Sequence, residues 1–323
     1  MTIHCRSVPV AVGVLTDSGG RVLVARRAAG KPWAGLWEFP GGKREVGESR
    51  WQALVRELHE ELGIVAQAGI PLIRLRSPAD GAQPVTLDVW RVTAFSGTPT
   101  GREGQSLKWV TADELDALPM PPANRIIRRA YRLPERYLIT PPGPMPLEQI
   151  VQALLQAIAQ GGVRLIQIRR PAASSAELAA LAEALAPARR AQGVTLLLNG
   201  APEQAHALGY DGVHLSGARL AALTMRPPNP GWVAASCHGP ADLVRASALA
   251  LDFAVLSPVR PTPDHAAATP LGWRHWARQV RDAVLPVYAL GGVGVADLQR
   301  AQRLGGQGIA AIRALWPAPG ASA

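Results

Sequence analysis

Gly42-Lys-Arg-Glu-Val-Gly-Glu48-Ser-Arg-Trp-Gln-Ala-Leu-Val-Arg56-Glu57-Leu58-His-Glu60-Glu61-Leu-Gly63-Ile64 fills every fixed position of the pattern G-x5-E-x7-R-E-U-x-E-E-x-G-U, where U is a bulky apolar residue. The Gly-rich start reads as a loop and the rest as an amphipathic helix. On such a helix Glu57, Glu60 and Glu61 stand at i, i+3 and i+4, so their carboxylates share one face. Like charges that close repel unless a cation neutralises them. Carboxylate oxygens are hard ligands suited to Mg²⁺, with Mn²⁺ able to substitute, and such ions also grip phosphate oxygens. A solvated acidic helix is the competing reading of a lone E-x-x-E-E cluster. It leaves unexplained why Gly42, Glu48, Arg56, Gly63 and both apolar positions fall into place as well.

This stretch resembles the signature of the Nudix hydrolases. Around it lie Val24-Ala-Arg26-Arg27-Ala28, Trp33-Ala-Gly-Leu-Trp37-Glu-Phe39-Pro40-Gly41-Gly42-Lys43, Gly101-Arg-Glu103-Gly-Gln105, Trp109 and Pro121-Pro122-Ala123-Asn124. The series is similar to the MutT branch, which hydrolyses oxidised guanine nucleoside triphosphates such as 8-oxo-dGTP to the monophosphate and pyrophosphate. The resemblance implies an α/β/α sandwich with a mixed sheet. It implies a metal set of the Gly41 carbonyl with Glu57, Glu60, Glu61 and Glu103, and either Glu57 or Glu103 as base. Arg56 and Glu48 would pair to hold the loop on the helix. Asn124 would read the oxidised purine, Arg27 would lie along the nucleotide, and Phe39 would wall the base pocket. A side-chain amide suits a purine edge, although Asn124 beside Pro121-Pro122 also reads as a helix cap. The segment Gln83-Pro84-Val85-Thr86-Leu87-Asp88 lacks the base-contacting Arg of MutT relatives. A Nudix hydrolase of another pyrophosphate compound, linked to thiamine metabolism, is the alternative.

At 323 residues the chain is too long for one such fold. The break is expected near Arg132–Glu135, after a closing helix Ala123–Tyr131, giving domains 1–134 and 135–323. Beyond it, apolar runs alternate with Ala/Leu-rich helical stretches such as Leu147–Gln160 and Ala176–Gln192. Expected strands are Tyr137–Thr140, Val163–Arg169, Val194–Leu198, Gly212–Leu215, Trp232–Ser236, Phe253–Leu256, Val287–Leu290 and Gly308–Ile312. Their even spacing predicts a (β/α)8 TIM barrel, with an open doubly wound sheet as the other solution. The fold class is thus α/β and α+β in two domains.

The second half resembles the thiamine phosphate synthase superfamily, which includes TenI-type thiazole tautomerases. The landmarks are Leu165-Ile-Gln167-Ile-Arg169, Asn199, Asp211-Gly-Val-His214-Leu, Ser236-Cys-His238, Ser257-Pro-Val-Arg-Pro261-Thr262-Pro263 and Ala289-Leu-Gly291-Gly292-Val293. The resemblance implies a site at Arg169, Asn199, Ser236, His238, Thr262, Gly291 and Gly292, with the two glycines in a phosphate cradle. Departures are as informative. Gly200 and Arg219 stand where the synthases carry metal-binding Asp residues, and Pro171 and His265 replace two lysines. Without those groups, ordinary synthase chemistry is not expected. A TenI-like tautomerase using His238, a sensor of a thiazole or phosphate ligand, and a non-catalytic scaffold all stay open. His214, inside a strand, reads as packing.

With 48% hydrophobic and 18% charged residues the chain reads as folded and globular. The net charge of +10 raises a basic nucleic-acid-associated module as a second functional class. The basic residues are scattered, however, without runs or interleaved aromatics, so nucleic acid is the less favoured partner and a nucleoside triphosphate the expected one. Only Cys5 and Cys237 occur, which excludes a disulfide framework and fits a cytoplasmic protein. Burial in the strand is the expected state of Cys237, with a thiol nucleophile as the other reading. No stretch is long and apolar enough for a membrane span. The number of chains that assemble is left open.

Overall fold

The computed structural model describes residues 7–77, 84–160, 162–228, 231–262 and 269–317. Cys5, Gln83 and His265 lie outside them. The chain divides into two compact units: one takes the residues up to Arg132 together with Val280–Val284 and Gln302–Gly305, and the other takes the remainder from Leu133 onward.

The first unit runs β1 (Val8–Leu15), β2 (Val22–Arg26), β3 (Trp37–Glu38), β4 (Gly41–Lys43), α1 (Arg50–Leu62), β5 (Val65–Arg76), β6 (Val85–Ser96), β7 (Leu107–Val110), α2 (Ala112–Ala117) and α3 (Pro122–Arg132). One sheet has the order β4-β1-β6-β5 and is mixed, because β1 pairs parallel to β6 and antiparallel to β4. A second has the order β3-β2-β7. Strand alternation splits the apolar side chains into two cores. Ala11, Leu15 and Leu23 meet Ala53, Leu54, Leu58 and Leu62 of α1. Val12, Val14, Val22 and Val24 point the other way, toward Leu115 of α2 and Ile127 and Ala130 of α3. Helices on both faces make the expected α/β/α sandwich.

Helix α1 is fixed at both ends. Ser49 and Gln52 form a reciprocal capping box, and Gly63 ends the helix at φ 72, in the left-handed region. With α1 so anchored, Leu54 and Leu58 face the strands, Glu57 and Glu61 turn toward β4, and the exposed Glu60 reaches Arg56 one turn back. Truncating the fully buried Leu58 to Ala costs about 2–5 kcal/mol and releases the face that aims the carboxylates.

The second unit is a closed barrel of parallel strands: β8 (Arg136–Ile139), β9 (Leu165–Ile168), β10 (Thr195–Asn199), β11 (Gly212–Leu215), β12 (Trp232–Cys237), β13 (Phe253–Leu256), β14 (Val287–Ala289) and β15 (Gly308–Ala311). Closure of β15 on β8 excludes the open doubly wound sheet. Gly308 permits it, since a Cβ there would lie 2.0 Å from the Glu135 carbonyl oxygen. Between the first strands run α4 (Leu147–Ala159) and α5 (Ser175–Gln192). Tyr137, Leu165, Leu197, Phe253, Val255, Tyr288 and Ala310 form the barrel's inner core. Among the described residues no helix is long and apolar enough to cross a membrane.

Candidate functional site

Arg56 is the hub of the loop–helix junction in the first unit. Its Nε and Nη2 donate to Glu48 Oε1 and Oε2 at 2.7 and 3.1 Å, and Nη2 also donates to the Lys43 carbonyl at 2.9 Å. Nη1 donates to Glu57 Oε1 and to Glu60 Oε2, each at 2.9 Å. Hydrogen bonds from Arg56 and from the Glu45 N–H hold the Glu48 carboxyl below its usual range. The expected pairing of Arg56 with Glu48 is therefore present, and the same guanidinium also neutralises two of the helix carboxylates.

Glu61 faces β4, where it accepts a hydrogen bond from the Gly41 N–H at 3.1 Å. Burial pushes its carboxyl up to about 7, and the Glu103, Glu38 and Glu57 carboxylates push the same way. Burial also raises Glu57, against the pull of Arg56. Glu103 receives Lys31 Nζ at 3.1 Å. Its loop is tied to the end of α1 by Arg102 N–H and Gln105 Nε2, which donate to the Glu61 carbonyl at 3.0 and 3.1 Å.

This set is acidic and partly buried, and its hard oxygen donors fit a divalent cation. The ligands are not assembled as a cage, however. Among the described residues no three His, Cys, Asp or Glu side chains are gathered as one metal site. Glu57 and Glu60 are committed to Arg56 and Glu103 to Lys31, so holding an ion means drawing them off these cations.

The residues assigned to the nucleotide lie beside this cluster. Asn124 sits inside α3, not at its cap, and its Oδ1 accepts from the Phe39 N–H at 2.9 Å. The cap reading is thus replaced by a tie between α3 and the β3–β4 turn. Phe39 belongs to the core and also lines a shallow groove with Arg27, Lys31, Gly41, Glu61 and Glu103. Arg27 ion-pairs with Glu38 and donates to the Pro32 carbonyl at 2.7 Å. Glu38 and Lys31 were missed as site residues. Burial raises the Glu38 carboxyl despite Arg27; its place beside Phe39-Pro40-Gly41 was the available signal.

The larger cavity, about 700 Å³, opens where the barrel strands end at their carboxyl side. All seven barrel positions singled out in the sequence line it: Arg169, Asn199, Ser236, His238, Thr262, Gly291 and Gly292. Gly291 and Gly292 take φ 96 and 65, and a Cβ on either would come within 2.7 Å of Pro258 or Arg260. His238 Nδ1 faces the Ser257 carbonyl at 3.2 Å. A proton on Nδ1 satisfies that carbonyl and leaves Nε2 as the acceptor. Arg260 and Asp297, not foreseen, form a two-pronged pair at 2.7 and 3.0 Å on the cavity wall. Gly200 is not in the lining, and Arg219 is exposed. Cys237 is fully buried, and burial pushes its thiol up to about 12, which removes the nucleophile reading.

The sequence profile of the thiamine monophosphate synthase family matches residues 136–315, and that of the NUDIX domain matches residues 6–131. The chain belongs to both families. Its Nudix part is 40% identical over 120 residues to a CTP pyrophosphohydrolase of Escherichia coli, covering 37% of this chain and 88% of that protein. It is 38% identical over 129 residues to an 8-oxo-dGTP diphosphatase of the same organism, covering 40% of this chain and 99% of that protein. Its thiamine monophosphate synthase part is 32% identical over 186 residues to a thiamine-phosphate synthase of Thermus thermophilus, covering 57% of this chain and 89% of that protein. Nudix hydrolase chemistry and a divalent metal requirement follow for the first part.

Proposed function

We propose that the Nudix domain, residues 1–134, hydrolyses oxidised guanine nucleoside triphosphates, 8-oxo-dGTP to 8-oxo-dGMP and pyrophosphate, and so cleanses a cytoplasmic nucleotide pool. The observation that carries this reading is the Asn124–Phe39 hydrogen bond. With Oδ1 occupied by the Phe39 N–H, the amide is oriented and its Nδ2 hydrogens remain to donate to a purine acceptor. Mg²⁺, held by Glu57, Glu60, Glu61, Glu103 and the Gly41 carbonyl, would neutralise the leaving phosphates and lower the pKa of the attacking water. The chain's own residues orient the rest. Arg56 and Glu48 keep the β4 loop against α1, Gly41 holds Glu61 in place, and Lys31 stands ready to trade Glu103 for a phosphate oxygen. Glu57 and Glu103 are the two candidates for the base.

A second substrate, CTP, is favoured by the 40% identity to a CTP pyrophosphohydrolase and by the absence of Arg from Val85–Asp88 of β6. Steady-state kcat/KM for 8-oxo-dGTP, dGTP and CTP with Mg²⁺, using Glu61→Gln as blank, separates them. A preference for 8-oxo-dGTP over dGTP of about a hundredfold, roughly 2.7 kcal/mol at the transition state, supports the proposal. Preferred CTP turnover replaces it.

For the barrel, residues 135–323, we propose binding of a phosphate-bearing ligand without synthase turnover. The Gly291–Gly292 turn offers N–H groups to an anion, and Arg169 adds a charge at the wall. Gly200 and Arg219 supply no metal carboxylates. Proton transfer at His238 Nε2 is the chemistry that would make it a tautomerase, and loss of any such turnover in His238→Ala is the test.

A further inference from the structure

A chain of hydrogen bonds crosses the barrel interior from strand to strand. Asn199 Nδ2 donates to Gln167 Oε1 at 2.9 Å, and Gln167 Nε2 donates to the Tyr137 hydroxyl at 3.1 Å. That hydroxyl lies 3.1 Å from His214 Nδ1, and His214 Nε2 lies 2.9 Å from Ser236 Oγ. Tyr137, Gln167 and His214 are buried at 0, 2 and 1% exposure, so their polar atoms must satisfy one another.

The proton count then sets a direction. A tyrosine hydroxyl has one proton, and while accepting from Gln167 it can give that proton only to His214 Nδ1. His214 therefore carries its own proton on Nε2. The ring stays neutral, since burial, helped by the nearby Arg169 charge, pushes its pKa down to about 3. Nε2–H donates to Ser236 Oγ, and the Ser236 proton is left over for the cavity that Ser236 lines.

We propose that this one-way relay from Asn199 to Ser236 fixes the Ser236 hydroxyl as a hydrogen-bond donor to the barrel's ligand. The cavity thereby favours molecules that present a lone pair there to take the Ser236 proton, a bare heteroaromatic ring nitrogen or a carbonyl oxygen. Tyr137, Gln167 and His214 act as positioning residues, setting a proton they never pass to the ligand. With both amides turned over, the chain would run from Ser236 to Asn199 and protonate His214 on Nδ1, so the tautomer reports the direction. The selectivity rests on the reading of the barrel as a ligand-binding domain; the direction does not.

The test is ¹⁵N NMR of histidine-labelled full-length protein, with His214 assigned by its loss in His214→Gln. The expected spectrum shows Nε2 protonated and Nδ1 bare between about pH 6 and 8. Ser236→Ala keeps that pattern, whereas Tyr137→Phe, which withdraws the proton from Nδ1, allows both tautomers. A proton on Nδ1, or a mixture, in the unaltered chain overturns the relay. Selectivity is read by titrating benzyl phosphate and the three pyridylmethyl phosphates, which share a shape and differ by one ring lone pair. At least one pyridyl isomer should bind about tenfold tighter than benzyl phosphate, with the difference abolished in Ser236→Ala. Equal binding of all four overturns the selectivity. Binding of none removes the ligand reading of the barrel and the selectivity with it, while the spectrum alone still decides the direction.

Discussion

Gly42 lies directly beneath the Glu57 carboxylate: a Cβ added at Gly42 would stand 2.2 Å from Glu57 Oε2. The obstructing atom is the far end of a flexible side chain, so Gly42→Ala should fold with a melting temperature within about 3 °C of the parent. Its hydrolysis should fall by about a hundredfold or more, because Glu57 must leave its place. Gly41→Ala is the contrasting case. There a Cβ would meet the Ala11 carbonyl oxygen at 2.1 Å, and φ is 140, so backbone must move. A loss of about 3 kcal/mol or more is expected, read by urea denaturation of both variants.

Glu61 works against the stability of the unit that it serves. Its carboxyl titrates at about 7 in the folded chain against an ordinary value of 4.5, so folding favours the protonated form. The sign follows by linkage. The favourable contribution is complete below pH 4.5, is lost as pH rises toward 7, and above that Glu61 destabilises the fold relative to a neutral group. In chelator at pH 8, Glu61→Gln should be more stable than the parent by about 1–3 kcal/mol, with the gain vanishing near pH 4. The same variant should hydrolyse nothing measurable with Mg²⁺.

Asn124 combines an acceptor tied to Phe39 with donors left for a base. Asn124→Asp keeps the acceptor and removes the donors, so stability should hold while the ratio of 8-oxo-dGTP to dGTP turnover falls by about tenfold or more. Asn124→Ala should lose about 1–2 kcal/mol of stability as well, because the Phe39 N–H loses its partner. Parallel kcat/KM and melting measurements on the two variants separate the roles.

His214 makes barrel stability depend on acid. Its folded pKa of about 3 lies below the ordinary 6.5, so the unfolded chain binds the extra proton between those values. Stability is fully present above 6.5 and drains away as pH falls toward 3, by about 2–4 kcal/mol at pH 4. Denaturation profiles from pH 7 to 4 should show a slope shallower by about one proton in His214→Gln.

Features carried by short-range spacing were legible in the sequence. The run from Ser49 to Gly63 encodes its own cap, periodicity and stop, so α1 and its acidic face could be placed residue by residue. Barrel strands such as Phe253–Leu256 announced themselves as short apolar runs because both faces of the strand are buried. Pairings across distant segments were not legible. The Arg27–Glu38 ion pair depends on the register of β2 on β3, and the Asn124 tie joins residues 85 apart in the chain. Tyr137 and Gln167 looked like strand residues among others; only barrel closure turns them toward His214. The commitment of Glu57 and Glu60 to Arg56 was also unforeseen, because a helix face shows which charges gather but not where a long guanidinium stem will reach.

Arg56 gives the acidic face a cation of its own. One guanidinium answers Glu48, Glu57 and Glu60 together and needs no supply from outside the chain. The hydrolase can therefore be made, fold and persist where divalent ions are scarce, because an incoming ion has to displace a resident positive charge instead of filling an electrostatic void. Stripping divalent ions should therefore silence hydrolysis while leaving the folded state of this unit in place, its three paired carboxylates still answered from within.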